Sequence, residues 1–347
     1  MTGATRETDP PDTDRDGDGA HRGRPTIDRM ALLVFGLLIV GVVVEAAYEL
    51  AIGPHPLADD WLHDTLIFGS AAMCAVGAGR HASGRRAWLC IAAALFSLGL
   101  GEVLWGLLYL GVEPDEIPYP NPASVFWLAS YPLFMAGIVL IVRSRVSRFE
   151  LHRWLDGLVV VLIVATPMVA LVLEPVLREA PSDPFGQIVA LSYPFGDLVL
   201  IGALLGAVPL MSWRVDAGWW WLGVGLICMT VVDAVYAVGA ISATYHEGPY
   251  DFLWSAGSVA IAVAAWRRTT DFLPGFEPVG WPAVILPLGA QVFALATQIY
   301  AYFDELPRTE RLLTAVVLGI GITQIIASRP RSPHEVANPP TTHGHSP

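Results

Sequence analysis

Residues 30–50 read MALLVFGLLIVGVVVEAAYEL, an unbroken apolar run until Glu45 and Glu49 near its end. A bilayer core about 30 Å thick needs roughly 20 predominantly apolar residues in a helix, so this one segment is long enough to cross a membrane. It is too long and begins too late to be a cleaved signal peptide, and is expected to remain as a first helix. The same criterion applied outward marks further spans near 64–79, 87–110, 124–142, 155–173, 186–209, 218–240, 252–266, 281–303 and 312–328. Loops between them are no longer than about 15 residues, which leaves no room for an extramembrane domain. The expected fold is all-α, a polytopic membrane bundle of about ten transmembrane helices over residues 30–328. Residues 1–29 and 329–347 are polar, Pro-containing tails that read as disordered.

Composition agrees with that reading. The chain is 54% hydrophobic and 15% charged, whereas a soluble domain carries about 25% charge. The net charge of −12 comes mostly from tails and loops and singles out no partner; nothing in the pattern points to nucleic acid. Every one of the 20 basic residues is arginine, and 17 of them fall on one side of the ten spans, before the first and in alternate loops thereafter. Only Arg178, Arg308 and Arg311 fall on the other. Positively charged loops stay cytoplasmic, so both termini are expected in the cytoplasm and the protein in the cell membrane. Cys74, Cys90 and Cys228 lie in apolar runs without metal spacing, and read as small packing residues.

An ionisable group in hydrocarbon costs several kcal/mol and marks a functional site by default. Four stand out: Glu45, Glu102, Asp197 and Asp233. Counting 1.5 Å per residue, Glu45, Glu102 and Asp233 lie about 22 Å beyond the arginine-bearing ends of their helices, in one layer. Gln298 comes to a similar height, and Tyr193 enters the layer from the other side, with Asp197 a turn further in. Glu102 is followed by Trp105 and Tyr109 on its own helix face, and Asp233 by Tyr236. Packing contacts, or snorkelling in the case of Glu45 and Glu102, would account for the same residues without a function. Trp61, Trp88, Trp154, Trp219, Trp220, Trp221, Trp266 and Trp281 read as interfacial belts.

Two segments share a pattern, Ser130-Tyr131-Pro132 and Ser192-Tyr193-Pro194. Proline inside a helix removes one N–H and frees a carbonyl a turn back, so these positions, with Pro167 and Pro287, are expected to break their helices beside a cavity. The spans at 87–110 and 124–142 also echo those at 218–240 and 252–266: an acid with an aromatic at i+3, a loop containing Pro and Tyr, then Phe126-Trp127 or Leu253-Trp254. This hints at a duplication of four helices, with two more appended. Gly202 and Gly206 form a small-residue packing motif.

No nucleophile elbow, P-loop, zincin or dinucleotide motif is present, so no cofactor is expected. Asp59, Asp60 and Asp64 have a spacing that could hold Mg²⁺, and His343 and His345 lie in the C-terminal tail. A solvated loop and a solvated tail account for both, and no metal is assigned.

Asn121–Pro132, Leu155-Asp156-Gly157, Tyr193–Asp197 and Val232–Tyr236 resemble the multi-helix membrane region that precedes diguanylate cyclase domains in many actinobacterial proteins. The resemblance covers most of residues 30–328 and implies a sensing or positioning role, without assigned chemistry. The chain ends about 20 residues after the last span, so the output domain is expected to be missing and nucleotide signalling is not carried over. Three readings follow. A membrane-embedded enzyme acting on an apolar or prenylated small molecule would use the acids to protonate an alkene or epoxide and the rings to stabilise the cation, a chemistry similar to that of membrane-bound terpene cyclases. In that reading Glu102, Asp233 and Asp197 are catalytic, and Trp105, Tyr109, Tyr131, Tyr193, Tyr236, Glu45 and Gln298 bind substrate. A ligand sensor or scaffold would act through a protein partner. A transporter would use the broken helices.

Overall fold

The computed structural model describes residues 24–53, 61–81, 84–109, 112, 116–145, 157, 158, 161, 162, 165, 169, 184–211, 215–241 and 250–267. All its regular structure is helical: α1 (Arg24–Ala51), α2 (His63–Ala78), α3 (Arg85–Tyr109), α4 (Ala123–Arg145), α5 (Pro184–Leu210), α6 (Ala217–Ile241) and α7 (Phe252–Trp266). Five of them, α1 and α3–α6, are long and apolar enough to cross a membrane. Their bounds lie within a few residues of the expected spans. The exception is α1, which begins at Arg24, inside the segment expected to be a disordered tail. Pro25 sits in its first turn, where the N–H that proline lacks has no helical partner anyway. The expected spans at 281–303 and 312–328, nearly all of the one at 155–173, and residues 329–347 lie outside the described residues.

The surface is what a bilayer asks for. Leu32, Leu33, Leu37 and Leu107 are each 70% exposed or more, a stripe that water would penalise and lipid does not. Inside, Ile91, Leu95, Ile138, Leu204, Met211, Leu222 and Ile261 are fully buried in one core drawn from α3, α4, α5, α6 and α7. The short helix α7, 15 residues, buries Ser255, Gly257 to Ala262, Ala264 and Ala265. A helix buried on all sides is sheathed by protein and need not match the bilayer thickness. Packing brings α7 against α1, α2 and α6, and joins α3 to α4.

Contacts between chain-distant ends fix the directions. The C-terminal parts of α1, α3 and α6 meet the N-terminal parts of α2, α4 and α7, forming what we call the acid end. At the opposite end Arg145 donates to Asp216 at 2.7 Å, and the second oxygen of Asp216 accepts from Trp219 N at 2.8 Å, capping α6. There Trp266 Nε1 donates to Met73 O at 2.8 Å, Arg80 lies over the Trp266 ring, and His81 Nε2 meets Ala265 O at 2.8 Å. The described arginines, Arg24, Arg29, Arg80, Arg85, Arg86, Arg143, Arg145 and Arg267, all occur at or near helix termini on this side, the arginine end.

Two expectations need correction. The prolines do not break their helices: α4 runs through Pro132, and α5 through Pro194 and Pro209. The serine two places before each Ser-Tyr-Pro proline returns its hydroxyl to the preceding turn, Ser130 to Trp127 O and Ser192 to Ile188 O, both at 2.7 Å. These bonds go to carbonyls other than Leu128 O and Ala190 O, which the prolines free; the helices nonetheless continue, and the transporter reading loses the broken helices it drew on at these positions. Pro167 and Pro287 lie outside the described residues. Nor do all the tryptophans face an interface: Trp88 and Trp219 are buried core residues, stacked on His81 and covered by Arg145 respectively, while Trp61 and Trp220 are exposed.

The Gly202–Gly206 motif packs closely: a Cβ on Gly206 would stand 3.1 Å from Gly157 O. The α6–α7 crossing is closer still, a Cβ on Gly225 standing 2.6 Å from Gly257 O. Gly225→Leu is therefore expected to push α7 away from α6 and to cost about 1–3 kcal/mol, as overpacking does elsewhere. A lowered unfolding midpoint in detergent micelles is the readout; an unchanged midpoint would mean the crossing is not close-packed.

Candidate functional site

The intramembrane acids gather at the acid end, each held by a donor from another helix. Trp127 Nε1 on α4 donates to Glu102 Oε1 on α3 at 2.8 Å. Trp254 Nε1 on α7 donates to Asp233 Oδ1 on α6 at 2.7 Å. The acid–indole bond thus recurs in the two hairpins that echo each other in sequence. An indole N–H buried in an apolar bundle needs an acceptor, and a carboxyl about two turns from the helix end provides it. Gly101 makes room for the first of these bonds, since any Cβ there would strike the Trp127 ring.

Asp197 on α5 and Asp233 on α6 lie side by side, within interaction reach of one another. Tyr131 OH donates to Asp197 Oδ1 at 3.2 Å, and its ring stands 6.4 Å from that of Tyr193. The Tyr131 ring packs over Gly196, where a Cβ would collide with it. On the other flank the ring of Tyr236 stands 6.3 Å from that of Trp254. The pair is thus flanked by four aromatic side chains from four helices, with Tyr236 at the exposed edge. A contact between two carboxyls is made through a shared proton, because two bare carboxylates repel.

Glu45 forms a separate cluster. Its carboxyl is wholly buried, with Oε1 2.6 Å from His63 Nδ1 and 3.0 Å from Ser255 Oγ. Ser255 Oγ also stands 3.1 Å from His63 Nδ1. Both partners of the imidazole meet the same nitrogen, so this is not a nucleophilic Ser–His–acid relay, which needs opposite ring nitrogens. His63 meets Trp254 edge-on at 6.3 Å, which joins this cluster to Asp233. One turn along α1, Glu49 Oε2 accepts from Phe252 N at 3.1 Å and holds the first turn of α7. Glu102 lies within electrostatic reach of His63, Asp64 and Asp233.

Of the residues singled out from sequence, Glu102, Asp197, Asp233, Tyr131, Tyr193 and Tyr236 therefore come together, with Glu45 beside them. Trp105 packs between Trp127 and Tyr109, at 5.7 and 5.1 Å, and Tyr109 reaches the acids only through it. Gln298, Asp59 and Asp60 lie outside the described residues. Among the described residues no group of His, Cys, Asp and Glu is arranged to hold a metal ion. Sequence reasoning missed His63, Trp127, Trp254 and Ser255 as site residues. The tryptophans carried a signal, since each opens its helix after a matching loop; His63 was read as part of a solvated loop.

Compared with protein-family models, curated proteins and solved structures, the chain matches none of them.

Proposed function

We propose that this chain is a membrane-embedded enzyme that protonates an apolar, isoprenoid-like substrate and lets it cyclise. The supporting observation is the adjacent Asp197–Asp233 carboxyl pair, flanked by Tyr131, Tyr193, Tyr236 and Trp254. In this reading Asp233 gives its proton to one carbon of a substrate alkene. The π pair forms the new C–H bond and leaves a cation on the neighbouring carbon, which ring faces stabilise. A second alkene attacks that cation to close a ring. Loss of a proton from an adjacent carbon ends the sequence, its C–H pair becoming a double bond and its proton returning to the carboxylate pair. The reaction is an isomerisation and needs no oxidant, metal or cofactor. Glu102 and Glu45 lie beside the pair, and Trp105 and Tyr109 line the flank toward α4. The test feeds membranes carrying the full chain with linear polyprenyl alkenes and their terminal epoxides, and seeks cyclic products of unchanged mass. No such product from any of them would end the proposal.

A ligand sensor or scaffold related to the regions that precede diguanylate cyclases is the second reading. It draws on one observation: Glu45, Glu102, Asp197 and Asp233 are each already bonded to a side chain of another helix. Such a network suits transmission of a ligand-induced shift to a protein partner. A chain that binds polyprenyl compounds without converting them favours it.

We also place the arginine end at the cytoplasmic face, by the positive-inside rule, with about ten spans and both termini there. Reporter fusions at residues 83 and 148 are expected to read cytoplasmic, and fusions at 57 and 117 external. The reverse pattern would overturn the orientation.

A further inference from the structure

The Asp197–Asp233 pair leaves Glu45 unexplained. Glu45 is completely buried, and while its Oε1 takes His63 and Ser255, its Oε2 has no hydrogen-bond partner among the described residues. Two more fully buried atoms share that condition on the helices packed against it: Ser258 Oγ, one turn along α7 from Ser255, and Ser70 Oγ, two turns along α2 from His63. Helix rise places Ser258 about 4.5 Å and Ser70 about 10 Å from the His63–Ser255 level, both toward the arginine end. Other helix hydroxyls in the bundle behave differently. Thr65, Ser130, Ser144 and Ser192 all return their protons to a carbonyl of the preceding turn, each at 2.7 Å, the usual outlet in an apolar setting. Ser124 on α4 is a further unpartnered hydroxyl, away from this seam.

A buried carboxylate oxygen without a donor costs a full desolvation penalty, and the penalty falls on Glu45, Ser258 and Ser70 together along one seam. Buried polar groups in this condition are usually bridged by internal water making about three hydrogen bonds. We propose that the seam between α1, α2 and α7 is a second site that takes water, forming a half-channel from the acid end, beside His63 and Asp64, to the level of Ser70. Water there donates to Glu45 Oε2, bridges it to Ser258 Oγ and continues to Ser70 Oγ. Leu38, Leu66, Met73, Val259 and Ala262 pack as one buried apolar cluster in this seam, which confines the water to the carboxyl and hydroxyls and stops the channel within the membrane. The ionisable groups around it are His63 and Asp64 of α2, Glu49 of α1, Asp251 ahead of α7, and Glu102 of α3. The proposal stands whether or not the carboxyl pair is catalytic.

The test uses the full chain in lipid nanodiscs and water itself as the probe. X-ray radiolysis converts bound water to hydroxyl radical in place, and mass spectrometry reads the oxidised side chains. His63 is expected to be oxidised although it is buried, while Met211 and Trp219, equally buried in the core of the bundle, stay unlabelled. Rapid mixing with heavy-oxygen water before exposure should put the heavy isotope into the His63 product, because the channel is open to solution. Ser258→Val should remove most of the His63 label, and Ser70→Ala should leave it. Absence of label on His63 in the unaltered protein overturns the proposal, whatever the variants do. So does label that never acquires the heavy isotope, or label that persists in a folded Ser258→Val variant.

Discussion

Asp233→Asn is expected to insert and fold like the unaltered chain and to lose cyclised product by about two to four orders of magnitude, the usual contribution of a general acid. The amide fills the same space, and its oxygen still accepts from Trp254 Nε1, now at 2.7 Å from Asp233 Oδ1. Its NH₂ can donate to Asp197, so the interhelical contacts that hold α6 to α5 and α7 survive. What disappears is the transferable proton. Asp197→Asn should do less, because Asp197 acts on the substrate through Asp233 and mainly sets how that proton is held. The measurement is product yield from membranes matched for protein content, with size-exclusion profiles confirming the fold. Turnover by Asp233→Asn equal to that of the unaltered chain would remove Asp233 as the acid. Failure of both proteins to make product would instead sink the enzyme reading, leaving the sensor reading.

How much of this could be read from the residues alone differs by scale. The helices were legible because a span needs about 20 apolar residues and such runs are hard to mistake. Their ends came within a few residues wherever a cap or an arginine marks them. The acids were legible too, since a carboxyl inside an apolar run has few innocent explanations. Their partners were not. Trp127 and Trp254 were visible only as members of the repeated Phe126-Trp127 and Leu253-Trp254 pattern, with nothing in the sequence to tie their indoles to the acids. An indole one turn inside a helix, with an acid near the end of the preceding one, is the more specific signal, and it occurs twice. His63 was lost because Trp61-Leu62-His63-Asp64 reads as a polar loop; α2 takes it up as the first residue because Glu45 and Ser255 surround it. The prolines misled for a related reason: periodicity shows that Pro132 and Pro194 lie in mid-helix, but not that packing keeps the helix continuous through them.

Replacing His63 by leucine is expected to destabilise the bundle by about 3–5 kcal/mol, the cost of stranding one member of a buried ion pair. His63 Nδ1 lies 2.6 Å from Glu45 Oε1, and the two side chains are 6% and 0% exposed. With the imidazole gone, Glu45 keeps only the Ser255 hydroxyl as donor, and no lipid group can supply another. Removing both members should behave oppositely. In Glu45→Leu combined with His63→Leu no charge remains to be compensated, the leucines fill much of the same volume, and Ser255 can return its hydroxyl to the preceding turn as Ser192 does. Most of the lost stability should come back, since apolar replacement of a whole buried pair is often neutral. Unfolding of the two single variants and the double variant in mixed micelles gives the coupling energy directly. The magnitude also bears on the hydrated seam. If water reaches Glu45 Oε2, it shares the burden left by His63, and the loss should fall at the lower end of the range, rising when Ser258→Val is added. A double variant no more stable than His63→Leu alone would show that the pair does more than neutralise buried charge.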